Sequence, residues 1–442
     1  MEVALIGFAI MLVFILVMRM PIALAMGVVG FFGFAYLQGL DFSTFNEFRW
    51  KSVLTMASRR VIDTAQDYNL SVIPLFILMG NLITRSGLSQ ELYTASYALL
   101  GHRRGGLSMA TILACGGFSA ICGSSLATSA TMAKVAMPPM RKFGYSDSLA
   151  AASIAAGGTL GILIPPSVIL VLYGLLTETS IRELFAAGLI PGLLGVLLYL
   201  AAVQYVVWRN PSAGPRGELM SWSERWQEIK KVRGIVGLFI LVMGGVYGGI
   251  FTPTEAAGIG AGGAFVIAIL RKSLNWRVLF DVLSDSSRTT GMLFGVLIGA
   301  LIFSNFINRA GLPDDLLNLV SAYDVSPTMV ILMIIAVYIV LGMVFESLSM
   351  LMLTVPVFFP LVASLGFDLV WFGIVVVIVT EISLITPPVG MNVFVLKAVL
   401  KNIRTSEIFR GVTPFWCADI VRLLLVMVIA EISLFLPQLL YS

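Results

Sequence analysis

Residues 157–174 read GGTLGILIPPSVILVLYG, and this stretch limits what the chain around it can become. It sits in an apolar run long enough to span a bilayer, yet it opens on paired glycines and carries Pro165-Pro166 at its centre. Proline inside a helix removes a backbone donor and clashes with the preceding turn, so the helix should break there. Broken backbone at membrane depth is tolerated only where it is buried in protein or lines a wet cavity. In carriers, such breaks are where substrates and coupling ions bind. A kinked structural helix is the bland alternative for one such stretch. The recurrence of the pattern at 385–394, ITPPVGMNVF, favours the functional reading.

Composition supports a membrane setting. Of 442 residues, 58% are hydrophobic and 12% charged, about half the charged share of an average soluble domain. The apolar segments allow roughly a dozen membrane-crossing or re-entrant pieces. A net charge of +4 spread over loops does not suggest nucleic acid. Cys115, Cys122 and Cys417 lie in apolar sequence and read as buried thiols. His102, the only histidine, excludes di-histidine metal sites and argues against histidine-based catalysis. No catalytic constellation and no organic cofactor are expected, so the chain reads as a non-enzyme. Glu2 precedes the first apolar run and Arg19 follows it, which predicts an outside N-terminus and no cleavable signal peptide.

Alternating charge sets the expected path. Residues 21–40 cross outward. Residues 41–70 form an amphipathic helix on the outer interface, anchored by Phe45, Phe48 and Trp50. Residues 71–84 return. Arg104 and Arg141 flank an apolar segment, 105–140, that must enter and leave by one face, a re-entrant hairpin with its tip at Gly123-Ser124-Ser125. The broken helix then crosses to Thr177, and 185–208 returns to a cytoplasmic loop at 209–233. Crossings at 235–251 and 255–270 lead to an inner interfacial helix at 274–287 and a crossing at 291–306. A second hairpin, 328–362, has its tip at Phe345-Glu346-Ser347. Crossings at 371–396 and 415–440 complete the path.

The halves match. NLITRSGLSQEL (81–92) and NFINRAGLPDDL (305–316) share six of twelve positions at a separation of 224, and the Pro-Pro pairs are 222 apart. Arg85 is expected inside and its counterpart Arg309 outside. The predicted fold is therefore an all-α polytopic membrane protein of two inverted-topology repeats, each with a re-entrant helical hairpin and a broken transmembrane helix. The first repeat is 1–210, with scaffold helices 1–70, transport elements 71–180 and a scaffold helix at 181–210. A cytoplasmic loop spans 211–234. The second repeat is 235–442, with scaffold helices 235–290, transport elements 291–400 and a terminal scaffold helix at 411–442.

Hydroxyls and freed carbonyls at the tips and breaks are hard oxygen ligands suited to sodium. Half-helix N-termini facing the same place favour an anionic substrate. Candidate sodium ligands are Ser124, Gly157, Thr159, Glu346, Ser347, Thr386 and Gly390. Candidate substrate contacts are Ser124, Ser125, Thr128, Gly158, Thr159, Pro166, Ser347, Ser349, Pro388 and Asn392. Small polar residues also serve as packing glue between helices, which stays open for each of them singly. Glu346 and Glu381 are acids at membrane depth, where charge is costly; either could bind a cation, carry a proton or be a structural carboxyl. Lys134 is expected to snorkel to the inner face.

The chain resembles the large membrane subunit of tripartite ATP-independent periplasmic (TRAP) transporters, the dicarboxylate-carrier M type. IPLFILMGNLITRSGL (73–88), FSAICGSSLATSAT (118–131), GGTLGILIPPSVILVLYG, GLIPGLL (188–194), GGIFTPTEAA (248–257) and EISLITPPVGMNVFV (381–395) carry the resemblance across nearly the whole chain. It implies a sodium-driven elevator carrier in a bacterial or archaeal inner membrane. It also implies two partners: a small four-helix membrane subunit, expected as a separate chain, and a periplasmic substrate-binding protein. Its substrates are mostly organic anions, carboxylates or sulfonates. One departure stands out, because many members have aspartate where GSSLATSAT places Thr128. The rival readings are a stand-alone carrier that takes substrate directly and, more remotely, a membrane-embedded enzyme. No Walker-type phosphate loop is present, in keeping with a gradient-driven carrier.

Overall fold

Caps and left-handed glycines set the helix ends that matter. A computed structural model describes residues 2–39, 47–343 and 345–441, so Phe45 and the other residues at 41–46 of the expected outer segment lie outside the described residues. Every element within them is helical. Among the described residues five helices are long and apolar enough to cross a membrane alone, one of them Ser347–Ser364, and of the seven shorter apolar helices Gly106–Cys122, Val168–Thr177, Pro327–Gly342 and Leu369–Ile385 belong to the hairpins and broken helices.

The first hairpin is Gly106–Cys122 followed by Ser125–Lys142. Gly123 turns the chain at φ 63°, a conformation that strains any residue bearing a Cβ. Ser124 is extended, and its hydroxyl accepts from the Ala127 N–H at 3.4 Å to start the second arm. The second hairpin is Pro327–Gly342 followed by Ser347–Ser364, with Glu346 extended ahead of the second arm. Both tips fall where the sequence predicts.

The broken helices follow their hairpins. Asp147–Thr159 passes through one 3-10 turn, Leu160–Ile162, before Val168–Thr177 resumes. Ser167 caps the restart, accepting from Leu170 N–H at 3.3 Å and donating to the Ile162 carbonyl. Leu369–Ile385 breaks at Thr386 and resumes as Met391–Val399 after Gly390 at φ 58°. The first break is wholly buried, whereas Pro387 and Pro388 in the second are exposed.

Packing between hairpin and broken helix is reciprocal in the two halves. A Cβ on Gly161 of the first broken helix would lie 2.1 Å from Ser119 of the first hairpin. In the second half the glycine is on the hairpin, and a Cβ on Gly342 would lie 2.1 Å from Ser383 Oγ on the broken helix. Residues 161 and 383 are 222 apart, as the Pro-Pro pairs are.

The helices group into two packed bodies. In one, Ile22–Leu37 lies along Trp276–Arg309, close enough that a Cβ on Gly30 would sit 2.6 Å from the Phe303 backbone. Val72–Arg85, Arg233–Tyr247 and Pro253–Leu270 complete that body. The other body holds both hairpins and both broken helices. The long helices Ile181–Arg209 and Thr405–Val428 pack on these broken helices. Their buried faces carry small and aromatic residues that fit there, including Gly188, Gly195 and Phe415.

Some expectations need correction. The interfacial helix at 274–287 and the crossing at 291–306 are one 34-residue helix, Trp276–Arg309. No proline interrupts it, and Gly291 at the expected junction does not stop it. In the first half the corresponding helices, Glu47–Gln66 and Val72–Arg85, meet at a 55° bend where Asp67 caps the turn Tyr68–Ser71. The terminal run divides into Thr405–Val428 and Glu431–Tyr441, a break that nothing in the local sequence explains. Leu88–Leu100 and Leu312–Ala322, each begun by a left-handed glycine, are helices not read from the sequence.

Candidate functional site

The two hairpin tips face each other across a cavity of about 170 Å³. Ser124 and Ser125 line it from the first tip, Glu346 and Ser347 from the second. Its remaining polar wall, Asn81 and Thr289, comes from the other body, so the cavity lies on the seam between the two. Asn81 Nδ2 donates to Ser286 Oγ at 2.8 Å, tying Val72–Arg85 to Trp276–Arg309 beside it. Ile77, Ile162, Val168 and Leu293 close the apolar part.

Both second arms begin at the cavity, each with an 18-residue helix whose first N–H groups lack intrahelical acceptors. Such ends carry roughly half a positive charge and favour anions. Among the described residues Glu346 is the only charged one in the lining, and its Oε1 accepts from Ser349 Oγ at 3.3 Å. A site with hydroxyls, two helix N-termini and one carboxylate can hold an anion and a small cation together.

The remaining candidates divide. Thr128 is one turn below the first tip and fully buried, as is its neighbour Ser129. Gly158 abuts Ser129 so closely that a Cβ would lie 2.0 Å from its Oγ and 3.1 Å from the Ser125 carbonyl. Asn392, after the second break, donates through Nδ2 to the Ala155 carbonyl at 3.1 Å. Ser129 Oγ and Asn392 Oδ1 have no hydrogen-bond partner, and Thr128 Oγ1 has only the Cys122 thiol in reach. Thr128, Ser129, Gly158 and Asn392 thus belong to a second polar region behind the first tip, where Ser125–Lys142, Asp147–Thr159 and Met391–Val399 pack together. Pro166 is buried beside Gly123. Gly157 packs on Cys115. Thr159 donates to the Ala156 carbonyl, Thr386 donates to Ile382, Gly390 packs on Phe409, and Pro388 is exposed. None of these five, nor Pro166, reaches the cavity between the tips.

Sequence reasoning missed two groups. Asn81 and Thr289 line the cavity although neither lies in a hairpin or a break. Asp419 and Arg422 are the second: both are wholly buried, and Arg422 lies 2.7 Å from Asp419 and pairs with Glu381, the acid that the sequence does single out. The pattern Asp419-x-x-Arg422 inside a long apolar run is an available signal, because charge at membrane depth is rarely incidental.

Paired hairpins whose tips meet on the seam between two helical bodies, each followed by a broken helix, define a secondary membrane carrier. The chain is similar in fold to the Alcanivorax borkumensis YdaH transporter, with a TM-score of 0.64 at 14% identity, covering 88% of this chain and 91% of that one. Residues 8–432 match the model of the family described as the DctM component of the tripartite ATP-independent periplasmic transporter. The chain belongs to that family and is a multi-pass inner-membrane transport protein, the large permease subunit of such a transporter. Among relatives, the C4-dicarboxylate TRAP transporter large permease protein of Pseudomonas aeruginosa is 36% identical over 382 residues, 86% of this chain and 88% of its own length. The sialic acid TRAP transporter large permease protein of Vibrio cholerae is 30% identical over 392 residues, 87% of this chain and 90% of its own length.

Proposed function

We propose that this permease subunit couples the uptake of an organic anion, a carboxylate or sulfonate, to the sodium gradient by an elevator motion. The observation that carries the reading is the cavity shared by the two tips, with two helix N-termini and Ser124, Ser125 and Ser347 on one side of a seam. The orphaned oxygens of Ser129 and Asn392, with the Thr128 hydroxyl beside Ser129, support sodium as the coupling ion, since neutral hard oxygens suit an alkali cation. The substrate is handed over by a periplasmic binding protein, and a small four-helix membrane subunit completes the complex. Names of relatives that carry C4-dicarboxylates and sialic acid support the anion class.

The halves act as inverted repeats in this reading. The body that moves comprises the hairpins, the broken helices and the two long helices packed on them; Ile22–Leu37, Val72–Arg85, Pro253–Leu270 and Trp276–Arg309 belong to the static one. Arg271 pairs with Glu91 at 2.6 and 2.7 Å, linking the end of Pro253–Leu270 to the helix that packs on the first hairpin.

The test is uptake in proteoliposomes holding this chain and the small subunit, with a panel of organic anions and their binding proteins. Uptake that requires both an inward sodium gradient and a binding protein is expected. Sodium-driven uptake without any binding protein would replace the tripartite handover with direct capture. Uptake driven equally by protons alone would overturn the sodium assignment.

A further inference from the structure

A second polar assembly lies away from the tip cavity, inside the body that holds the broken helices. Glu381 is on Leu369–Ile385, one turn before the second break. Asp419 and Arg422 are on Thr405–Val428, and Tyr199 is on Ile181–Arg209. All four have zero exposure. Tyr199 donates to Asp419 Oδ2 at 2.5 Å, and its hydroxyl lies 3.2 Å from Oγ1 of Thr159, the last residue before the first break turns into a 3-10 helix. Arg422 Nη2 pairs with Glu381 Oε2 and lies 2.7 Å from Asp419 Oδ1. The cluster is built to fit: a Cβ on Gly195 would lie 2.3 Å from Arg422 Nη1.

The charges do not balance. These four are the titratable groups that face one another there, and two carboxylates against one guanidinium leave a net negative charge with no water contact. An uncompensated buried charge is costly, and a carboxyl in that position takes up a proton instead. The contacts say which one. Asp419 accepts a hydrogen bond from Tyr199 on Oδ2, and its Oδ1, which has no hydrogen bond, still lies 2.7 Å from the Arg422 guanidinium as an ion pair, whereas Glu381 Oε1 has neither a hydrogen bond nor an ion-pair contact.

We propose that this cluster is a resident proton site, with one proton bound on Oε1 of Glu381, which neutralises the joint between the two broken helices. Binding converts the Glu381 carboxylate into a carboxylic acid, and no other bond changes. The cluster then carries one ion pair, Asp419 with Arg422, and a neutral acid accepting from the same guanidinium. Because Tyr199 bridges Asp419 to Thr159 while Glu381 precedes Thr386 by five residues, one proton sets the charge at both breaks.

The test is infrared spectroscopy of the full chain with its small subunit in lipid, taken as differences between wild type and variants. A protonated-carboxyl band that shifts in deuterated water is expected in wild type. It should be lost in Glu381→Gln. It should also be lost in Asp419→Asn, where Glu381 becomes the sole counter-ion of Arg422 and ionises. Both single amides should fold and retain uptake, and the double amide, which strands Arg422, should lose the folded protein. A wild type whose band survives Glu381→Gln overturns the proposal, as does a band that survives Asp419→Asn. Failure of both single amides to fold also overturns it, since each leaves a balanced pair.

Discussion

Gly158→Ala tests whether the first hairpin and the first broken helix form one ion-binding surface. Gly158 is inside Asp147–Thr159, so alanine gains about 0.5–1 kcal/mol of helix stability. Against that, the new methyl would lie 2.0 Å from Ser129 Oγ and 3.1 Å from the Ser125 carbonyl. Overpacking of this kind costs about 1–3 kcal/mol. The balance is a folded protein, destabilised by about 0–2.5 kcal/mol, whose Ser129 hydroxyl is pushed aside. Where that hydroxyl ligates sodium, its contact compares with a hydrogen bond to a charged group, about 1.5–3 kcal/mol. Its loss then weakens sodium binding by about 10- to 150-fold. The assay is the sodium concentration for half-maximal uptake, read beside thermal melting. Ser129→Ala removes the same oxygen without crowding, and Gly158→Ala with Ser129→Ala relieves most of the clash. All three variants should share one raised sodium requirement, while the single glycine variant alone loses stability, a strongly non-additive pattern. A folded Gly158→Ala protein with the wild-type sodium requirement would refute the reasoning.

Tyr199→Phe removes a donor to the buried Asp419 carboxylate, a hydrogen bond to charge worth about 1.5–3 kcal/mol, and should lower the melting temperature measurably. Wild-type melting would show that the hydroxyl holds nothing in place. Ser347→Ala removes a hydroxyl from the cavity without removing a cap, because Glu346 is the cap residue, so uptake should fall with little change in melting. Equal losses of both would make Ser347 structural. Glu91→Gln breaks the bidentate pair with Arg271; both side chains are 27% exposed, so screening limits the stability loss to about 1 kcal/mol or less. Transport rate in that variant should lose its dependence on ionic strength, and an unchanged dependence would place the pair outside the moving seam.

The sequence exposes what depends on local breakers. Gly123, the Ser124 cap, both Pro-Pro pairs and Gly390 mark hairpin tips and helix breaks directly, because such residues act on their own backbone. It exposes poorly what depends on partners brought from a distance. Asn81 and Thr289 carry no local mark, and they become wall residues only because two helices from the other body stand against the tips. Asp419 and Arg422 were visible as charges in an apolar run, yet their meaning rests on Glu381 and Tyr199, 38 and 220 residues from Asp419 in the chain. Charge alternation also divided Trp276–Arg309 into two pieces, since a polar first half and an apolar second half look like separate elements when no breaker is demanded between them.

The charge at the tip cavity leads to one last prediction. Glu346 is the one charged side chain there among the described residues, and an organic anion brings a second negative charge beside it. Two like charges about 5 Å apart at an effective dielectric of about 20 repel by about 3 kcal/mol. The two helix N-termini offset part of this, each worth roughly 0.3–1 kcal/mol, or up to about 2 in a sheltered geometry. At the lower end of that range the site needs a cation before it can hold the anion well, which makes substrate affinity a function of sodium. Glu346→Gln keeps the shape and removes the charge. The variant should bind the anion with a weaker dependence on sodium, and its affinity at low sodium should exceed that of wild type. Calorimetric titration of the anion at several sodium concentrations measures both. If the slope against sodium is unchanged in Glu346→Gln, the carboxylate takes no part in the charge balance, and the oxygens behind the first tip alone link the ion to the substrate.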